Sequence, residues 1–279
     1  MLTPYWQLLR PVSWLKNLFI FVPIFFAKAV PDSDKLISTI FAFAAFCLAA
    51  SGVYIVNDLI DRSEDRKHAI KKNRPIARGA IGVKSALAAC AIVWLAAGFL
   101  ISFFAPAIYP YIVGYVIAVL MYSVFIKRVP VADILLVAAF FLLRIKVGGI
   151  AADVPISHWL ELCTIFLALF LILAKRRSEF GQEHKREVLS VYDTPLLESL
   201  MIMAATLTVI AYSLYTVLAL NSSLAVYSVF FVLLGIIRYI LLTHRTNRAE
   251  EPERAIFIDP WIRIAGAGWG ALMLTIFYF

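Results

Sequence analysis

Residues 36–57, Leu36-Ile-Ser-Thr-Ile-Phe-Ala-Phe-Ala-Ala-Phe-Cys-Leu-Ala-Ala-Ser51-Gly-Val-Tyr-Ile-Val-Asn57, form an apolar run that ends abruptly in Asp58-Leu-Ile-Asp61-Arg62-Ser-Glu-Asp65-Arg66-Lys67-His68. A helix needs about 20 mostly apolar residues to cross the hydrocarbon core of a bilayer. This run is long enough to do so, and it delivers a cluster of carboxylates to the point where the chain leaves the lipid. Similar runs lie near 17–31, 82–104, 107–126, 131–151, 157–175, 196–219, 222–243 and 259–278. The sequence therefore predicts an all-α, polytopic membrane protein with nine transmembrane helices, folded over 1–279 as a single integral membrane domain.

Composition agrees. The 279 residues are 62% hydrophobic and only 16% charged, with mean hydropathy +0.87, too apolar for a chain that must solvate its own surface in water. The net charge of +8 does not point to nucleic acid, because a nucleic-acid binder gathers its Lys and Arg on one water-exposed face. Here they alternate with long apolar runs. Cys47, Cys90 and Cys163 sit inside separate runs without CxxC spacing and read as packing residues. The start, Met1 to Lys16, lacks a short apolar stretch with a cleavage site, so the first helix is expected to stay as an anchor.

Placing the amino terminus in the cytoplasm puts Arg10, Lys16, eight Lys/Arg between Arg62 and Lys84, Lys127, Arg128, Lys175, Arg176, Arg177, Lys185, Arg186, Arg245, Arg248 and Arg254 on that side. The outer segments keep Lys28 and Lys35. Such a bias predicts cytoplasmic basic loops and an outward carboxyl terminus in a multi-pass plasma-membrane protein. The two longest connections, 58–81 and 176–195, are both cytoplasmic in this topology, so the active site is expected there.

Asp58, Asp61 and Asp65 are spaced i, i+3, i+7, which puts them with the adjacent Asn57 on one side of a helix end. Carboxylates so close repel one another unless a cation sits among them. All-oxygen ligands favour Mg2+, which keeps several waters and completes its shell with substrate phosphate. Lys71, Lys72, Arg74 and Arg78 then supply the cationic donors that a diphosphate would need. The competing reading is a solvated helix end whose acids pair with Arg62, Arg66 and Lys67. Lys175-Arg176-Arg177-Ser178-Glu179 closes the sixth run and would serve at least as a topology anchor. Arg144 lies about 20 Å along the fifth run, at 1.5 Å per residue from its start. A charge at that depth costs at least about 2.5 kcal/mol without a polar partner, so Arg144 reads as functional, with an anion-binding role. Lys146 is nearer the outer end and can snorkel. Lys16, Tyr122 and Lys127 border the same cytoplasmic surface as candidate phosphate contacts.

The motif Asn57-Asp58-x-x-Asp61-x-x-x-Asp65, followed by Arg74-Pro75 in a nine-helix chain, resembles the UbiA superfamily of intramembrane prenyltransferases. The resemblance covers essentially the whole chain. Ordinary members carry a second aspartate-rich motif, DxxxD, after the sixth helix; this sequence has Lys175-Arg176-Arg177-Ser178-Glu179 there. Bases in place of acids suit direct capture of a monophosphate. Together with Arg74-Pro75-Ile76-Ala77, Leu143-Arg144, Asp153-Val154-Pro155-Ile156-Ser157 and the run from Phe166 to Phe170, this resembles a branch of the superfamily that transfers phosphoribosyl groups.

The resemblance implies transfer of a 5-phosphoribosyl group from phosphoribosyl pyrophosphate to a polyprenyl phosphate, with release of pyrophosphate, on the way to cell-wall arabinan. It implies metal ligation by Asp58, Asp61 and Asp65, orientation of the site by Asn57, and a grip on the donor by Lys71, Lys72 and Arg74. The lipid phosphate falls to Arg144, Lys175, Arg176 and Arg177. Expected partners are the membrane and the two substrates, without nucleic acid; a homo-oligomer stays open. The rivals are a conventional prenyltransferase with an aromatic acceptor, which predicts a second acidic motif, and a transporter, which predicts internal repeats and broken helices.

Overall fold

The computed structural model describes residues 4–68, 71–179, 191–220, 222–245 and 259–279. Lys185, Arg186, Arg248 and Arg254, counted above among the cytoplasmic charges, lie outside the described residues. Among those described, the chain is built from helices and turns. It divides into two compact units, Met1–Ile126 with Leu143–Pro155, and Lys127–Leu142 with Ile156–Phe279.

The first unit begins with α1 (Pro4–Leu9), a 3₁₀ segment (Pro11–Phe21) and α2 (Val22–Phe26). It continues through α3 (Ser33–Ile60), the single turn α4 (Arg62–Asp65), α5 (Val83–Phe104) and α6 (Tyr109–Val124). Asp32 caps α3, its side chain accepting from the backbone N–H groups of Asp34 and Lys35. Buried Ala42, Ala45, Ala49, Ala50, Ser51 and Gly52 give α3 a small-residue face, which suits packing in lipid, where close backbone approach replaces the hydrophobic effect between helices. A Cβ on Gly52 would lie 2.1 Å from the Trp94 indole nitrogen on α5, and that indole donates to the Ala49 carbonyl at 3.2 Å. Lys35 Nζ donates to the Asp153 carbonyl and Ser38 Oγ to that of Phe104, so α3 starts where α5 and the chain after α7 (Ala132–Ala151) end. The acidic end of α3 is therefore at the opposite end of this unit.

In the second unit α8 (His158–Glu179) packs on α9 (Thr194–Leu218), and α10 (Ser228–Arg245) packs on α8, α9 and α11 (Pro260–Tyr278). Asp193 caps α9, and Asp259 caps α11 by accepting from the N–H groups of Trp261 and Ile262.

Eight helices among the described residues are long and apolar enough to cross a membrane, and they cover the expected runs from 36–57 onward. The first run departs from expectation. It is 3₁₀ over Pro11–Phe21 and α-helical only over Val22–Phe26. Proline stands at the head of each piece, where its missing N–H costs nothing. At about 2.0 Å per residue in the 3₁₀ part and 1.5 Å in the α part, these pieces reach about 30 Å.

Arg238 on α10 binds Asp259 through Nε at 3.0 Å and Nη2 at 2.9 Å. The hydrogen bond from Arg238 holds the Asp259 carboxyl below the ordinary carboxylate range, opposed by burial and reinforced by the two capping N–H groups. A carboxyl depressed on folding stabilises above its unfolded pKa, and that contribution is lost as pH falls through the folded value. Asp259→Asn keeps the cap and removes the charge. It should lower the thermal midpoint at neutral pH, and the gap to the parent should close as the pH enters the carboxylate range; a gap independent of pH would argue against the ion pair.

Candidate active site

Two acids on the α3–α4 corner are buried: Asp58 is 2% exposed and Asp65 3%. Arg74 joins them, its Nη1 lying 2.7 Å from Asp65 Oδ2 and 3.2 Å from Asp58 Oδ1. Arg10 makes a second contact with Asp58 Oδ1 through Nη2 and lies over the Tyr54 ring at 5.1 Å. α3 ends at Ile60, Asp61 is the linking residue, and α4 resumes at once, which preserves the i, i+7 relation of Asp58 and Asp65. Asp61 itself is half-buried and lies outside the Arg74 bridge.

Arg74 is held by the loop that follows it. Ile76, Ala77 and Ile81 are buried, Ile76 and Ile81 in a cluster with Leu8, Ile55, Ala86, Cys90 and Val93. Arg66 Nε donates to the Ala77 carbonyl at 2.9 Å, and Gly79 takes φ +79°, a backbone that an L side chain resists. Arg78 Nη2 donates to Gln7 Oε1 at 3.0 Å, so α1 docks on the same loop. Arg66 and Arg78 are thus spent on holding the corner together. Lys71 and Lys72 form an exposed 3₁₀ turn beside it.

Arg10 was missed by sequence reasoning. Its Arg-Pro dipeptide matches Arg74-Pro75, a local hint, but a pairing across 48 residues is a tertiary fact. Its left-handed backbone, φ 52°, is uncommon for a residue with a side chain and marks a position fixed by its surroundings. Lys16 is half-buried on the 3₁₀ segment, Tyr122 is half-buried near the end of α6, and Lys127 lies in the turn that follows α6.

The basic triad ending α8 does not act as three equivalent cations. Arg176 is 3% exposed, with Nη2 2.9 Å from buried Asp133 on α7 and Nη1 3.0 Å from Glu179. Arg177 Nε lies 2.8 Å from Glu198 on α9, and Lys175 Nζ lies 4.0 Å from Glu179. Lys175 and Arg177 are half-buried and carry the side chains of the triad that a ligand can reach; Arg176 is built into the helix packing. Arg144 is buried in the first unit against Asn17, and Lys146 is half-buried two residues further on.

The donor set fits a hard cation in chemistry. Asp58, Asp61 and Asp65 offer only oxygens, and Asn57 Oδ1 is buried without a hydrogen-bond partner, a costly state that a cation would relieve. Both guanidinium groups touch Oδ1 of Asp58, and Arg74 uses Oδ2 of Asp65. Among the described residues no three acidic, His or Cys side chains stand close enough to share one ion, so the arrangement pairs acids with arginines where the sequence suggested an acidic trio.

The family model of the UbiA prenyltransferase family matches residues 17–260. The chain belongs to the UbiA prenyltransferase family. This UbiA-family chain is 35% identical over 218 residues to a decaprenyl-phosphate phosphoribosyltransferase of Corynebacterium glutamicum, a match covering 74% of the chain and 65% of that protein. The match thus spans slightly less than two thirds of that relative's length. A protein of the same name from Mycobacterium tuberculosis is 28% identical over 275 residues, covering 94% of the chain and 90% of that protein. The UbiA fold is shared with a UbiA homologue from Archaeoglobus fulgidus solved with DMAPP and Mg2+, at TM-score 0.75 and 19% identity over 98% of both chains.

Proposed function

We propose that this enzyme transfers a 5-phosphoribosyl group from phosphoribosyl pyrophosphate to a polyprenyl phosphate, releasing pyrophosphate. The observation that carries the reading is the Asp58–Asp65–Arg74–Arg10 corner; the sequence separately carries the basic Lys175-Arg176-Arg177 run where the family resemblance implies acids. The names of the curated relatives support it, as does the Mg2+ in the related fold.

In this reading Asp58 and Asp65, with Asn57 Oδ1, would hold Mg2+, which when bound would neutralise the pyrophosphate of the donor and lower the cost of its departure, while Asp61 stands beside them at the helix end. Arg74 and Arg10 bridge the buried carboxylates and reach the donor's phosphates, with Lys71 and Lys72 at the exposed rim. Lys175 and Arg177 take the lipid phosphate, while Arg176 fixes the end of α8 on Asp133. Lys16, Tyr122 and Lys127 are further phosphate contacts. A phosphate oxygen of the acceptor attacks C1 of the ribose, the C1–O bond to pyrophosphate breaks, and the charge leaves with pyrophosphate; the attacking anion needs no general base. The family match runs through both units, which supports reading 1–279 as one transferase domain. The basic loops and the site face the cytoplasm, and the product feeds decaprenyl-phosphoryl-arabinose and arabinan synthesis.

The acceptor decides between this reading and a conventional prenyltransferase. Pyrophosphate release from phosphoribosyl pyrophosphate should require a polyprenyl phosphate and fail with the corresponding polyprenyl alcohol, which lacks the anion. If the protein instead consumes a prenyl diphosphate with an aromatic acid, the basic run has been misread.

A further inference from the structure

The role of Arg144 is left open by that mechanism. The residue is 5% exposed, its Nε donates to Asn17 Oδ1 at 2.8 Å, and its guanidinium carbon lies 5.1 Å from the Phe46 ring and 5.5 Å from the Tyr115 ring. Asn17 is itself buried and donates through Nδ2 to Cys47 Sγ at 3.2 Å. A guanidinium lying over two neighbouring rings and bonded to an amide is held in one place by its surroundings.

What it holds is the 3₁₀ segment. Eleven residues is long for this geometry, whose hydrogen bonds are poorer than those of an α-helix, so the segment needs outside support. Three sets of contacts give it. At its head, Trp14 Nε1 donates to Ser51 Oγ at 3.0 Å, and Ser51 Oγ donates to the Leu9 carbonyl at 2.8 Å. In its middle stands the Asn17–Arg144 bond. Near its tail the backbone presses on Gly148 of α7, where an added Cβ would lie 2.0 Å from the Ile20 carbonyl oxygen. Relaxing the segment to α-helix would shorten it by about 5 Å, at about 0.5 Å per residue. Arg10 is the residue immediately before its head, and its carbonyl accepts from the Ser13 N–H at 2.9 Å. A shift of that size would carry Arg10 out of hydrogen-bonding reach of Asp58.

The geometry points to Arg144 as a positioning residue: through Asn17 it keeps the 3₁₀ segment extended and so keeps Arg10 on Asp58. This rests on the reading of Asp58 as part of the donor's diphosphate site, and it replaces direct capture of the lipid phosphate by Arg144.

The test has two arms, both on the full chain in lipid nanodiscs. The first needs no ligand. Gln7→Cys with Arg78→Cys, at the contact between α1 and the loop after Arg74, is treated with a short bismaleimide beside single-cysteine controls. Arg144→Gln and Asn17→Leu should slow cross-linking, whereas Asn17→Asp, which keeps an acceptor for Arg144, should leave it at the parental rate. The second arm measures binding of inorganic pyrophosphate with Mg2+ by calorimetry. Arg144→Gln and Asn17→Leu should each weaken it about tenfold, the scale of losing a supporting contact behind a ligand. The double variant should be no worse, and Arg144→Gln should add nothing to Arg10→Gln. Unchanged cross-linking in Arg144→Gln overturns the proposal. So does a loss that adds fully to that of Arg10→Gln, since Arg144 would then act on its own. If the parent binds no pyrophosphate, the donor-site reading fails, and the cross-linking arm still decides whether Arg144 holds the segment.

Discussion

Asp58→Asn should reduce phosphoribosyl transfer by about 10²- to 10³-fold, the scale of losing one preorganised electrostatic contact at a reacting centre. The substitution is nearly isosteric and keeps a hydrogen-bond acceptor for Arg10 and Arg74, yet removes the charge on which both converge. It takes away a metal ligand and leaves two cations facing a neutral amide. The fall should appear mostly in kcat at saturating donor, with the thermal midpoint recorded alongside to separate lost chemistry from lost fold. Activity within a few-fold of the parent, in a protein that melts normally, would remove Asp58 from the mechanism.

Arg74→Gln is expected to have the second largest effect, and to act on stability and activity together. One nitrogen of Arg74 bridges both buried acids, so its loss leaves Asp65 without this partner and Asp58 with Arg10 alone. Breaking a fully buried pair costs about 3–5 kcal/mol; Arg74 keeps a quarter of its side chain exposed, which places the expected cost at the low end of that range. A divalent cation seated between the same carboxylates would return part of the missing positive charge. Added Mg2+ should therefore raise the midpoint of Arg74→Gln more than that of the parent, in line with selective binding to the folded state. Equal shifts in both proteins would indicate that the corner does not take a cation.

Most of the helical frame was legible because lipid imposes a length on every spanning run. The runs at 82–104 and 131–151 fall within a residue of α5 and α7. The first run was not legible in that way, since 3₁₀ geometry reaches as far with fewer residues and hydropathy carries no sign of it. At the site, the i, i+7 spacing of Asp58 and Asp65 was readable from helix geometry alone, and Arg74 bridges just that pair. The spacing did not reveal Arg10, which comes to Asp58 from a separate segment. Nor did it reveal the division of labour in Lys175-Arg176-Arg177. Glu179, three residues from Arg176, was visible in the sequence, but Asp133, 43 residues away, decides that Arg176 is buried. The depth of Arg144 raised the question of what meets the charge, and could not say that the Asn17 amide of another segment does so.

Transfer itself tests the central claim most directly. The purified chain in lipid would be given phosphoribosyl pyrophosphate labelled in the ribose, decaprenyl phosphate and Mg2+, and the lipid phase counted with and without EDTA. Label that enters the lipid phase only with the acceptor and the metal, and is lost in Asp58→Asn, is the predicted result. No label in the lipid phase from protein shown to be folded would contradict the account.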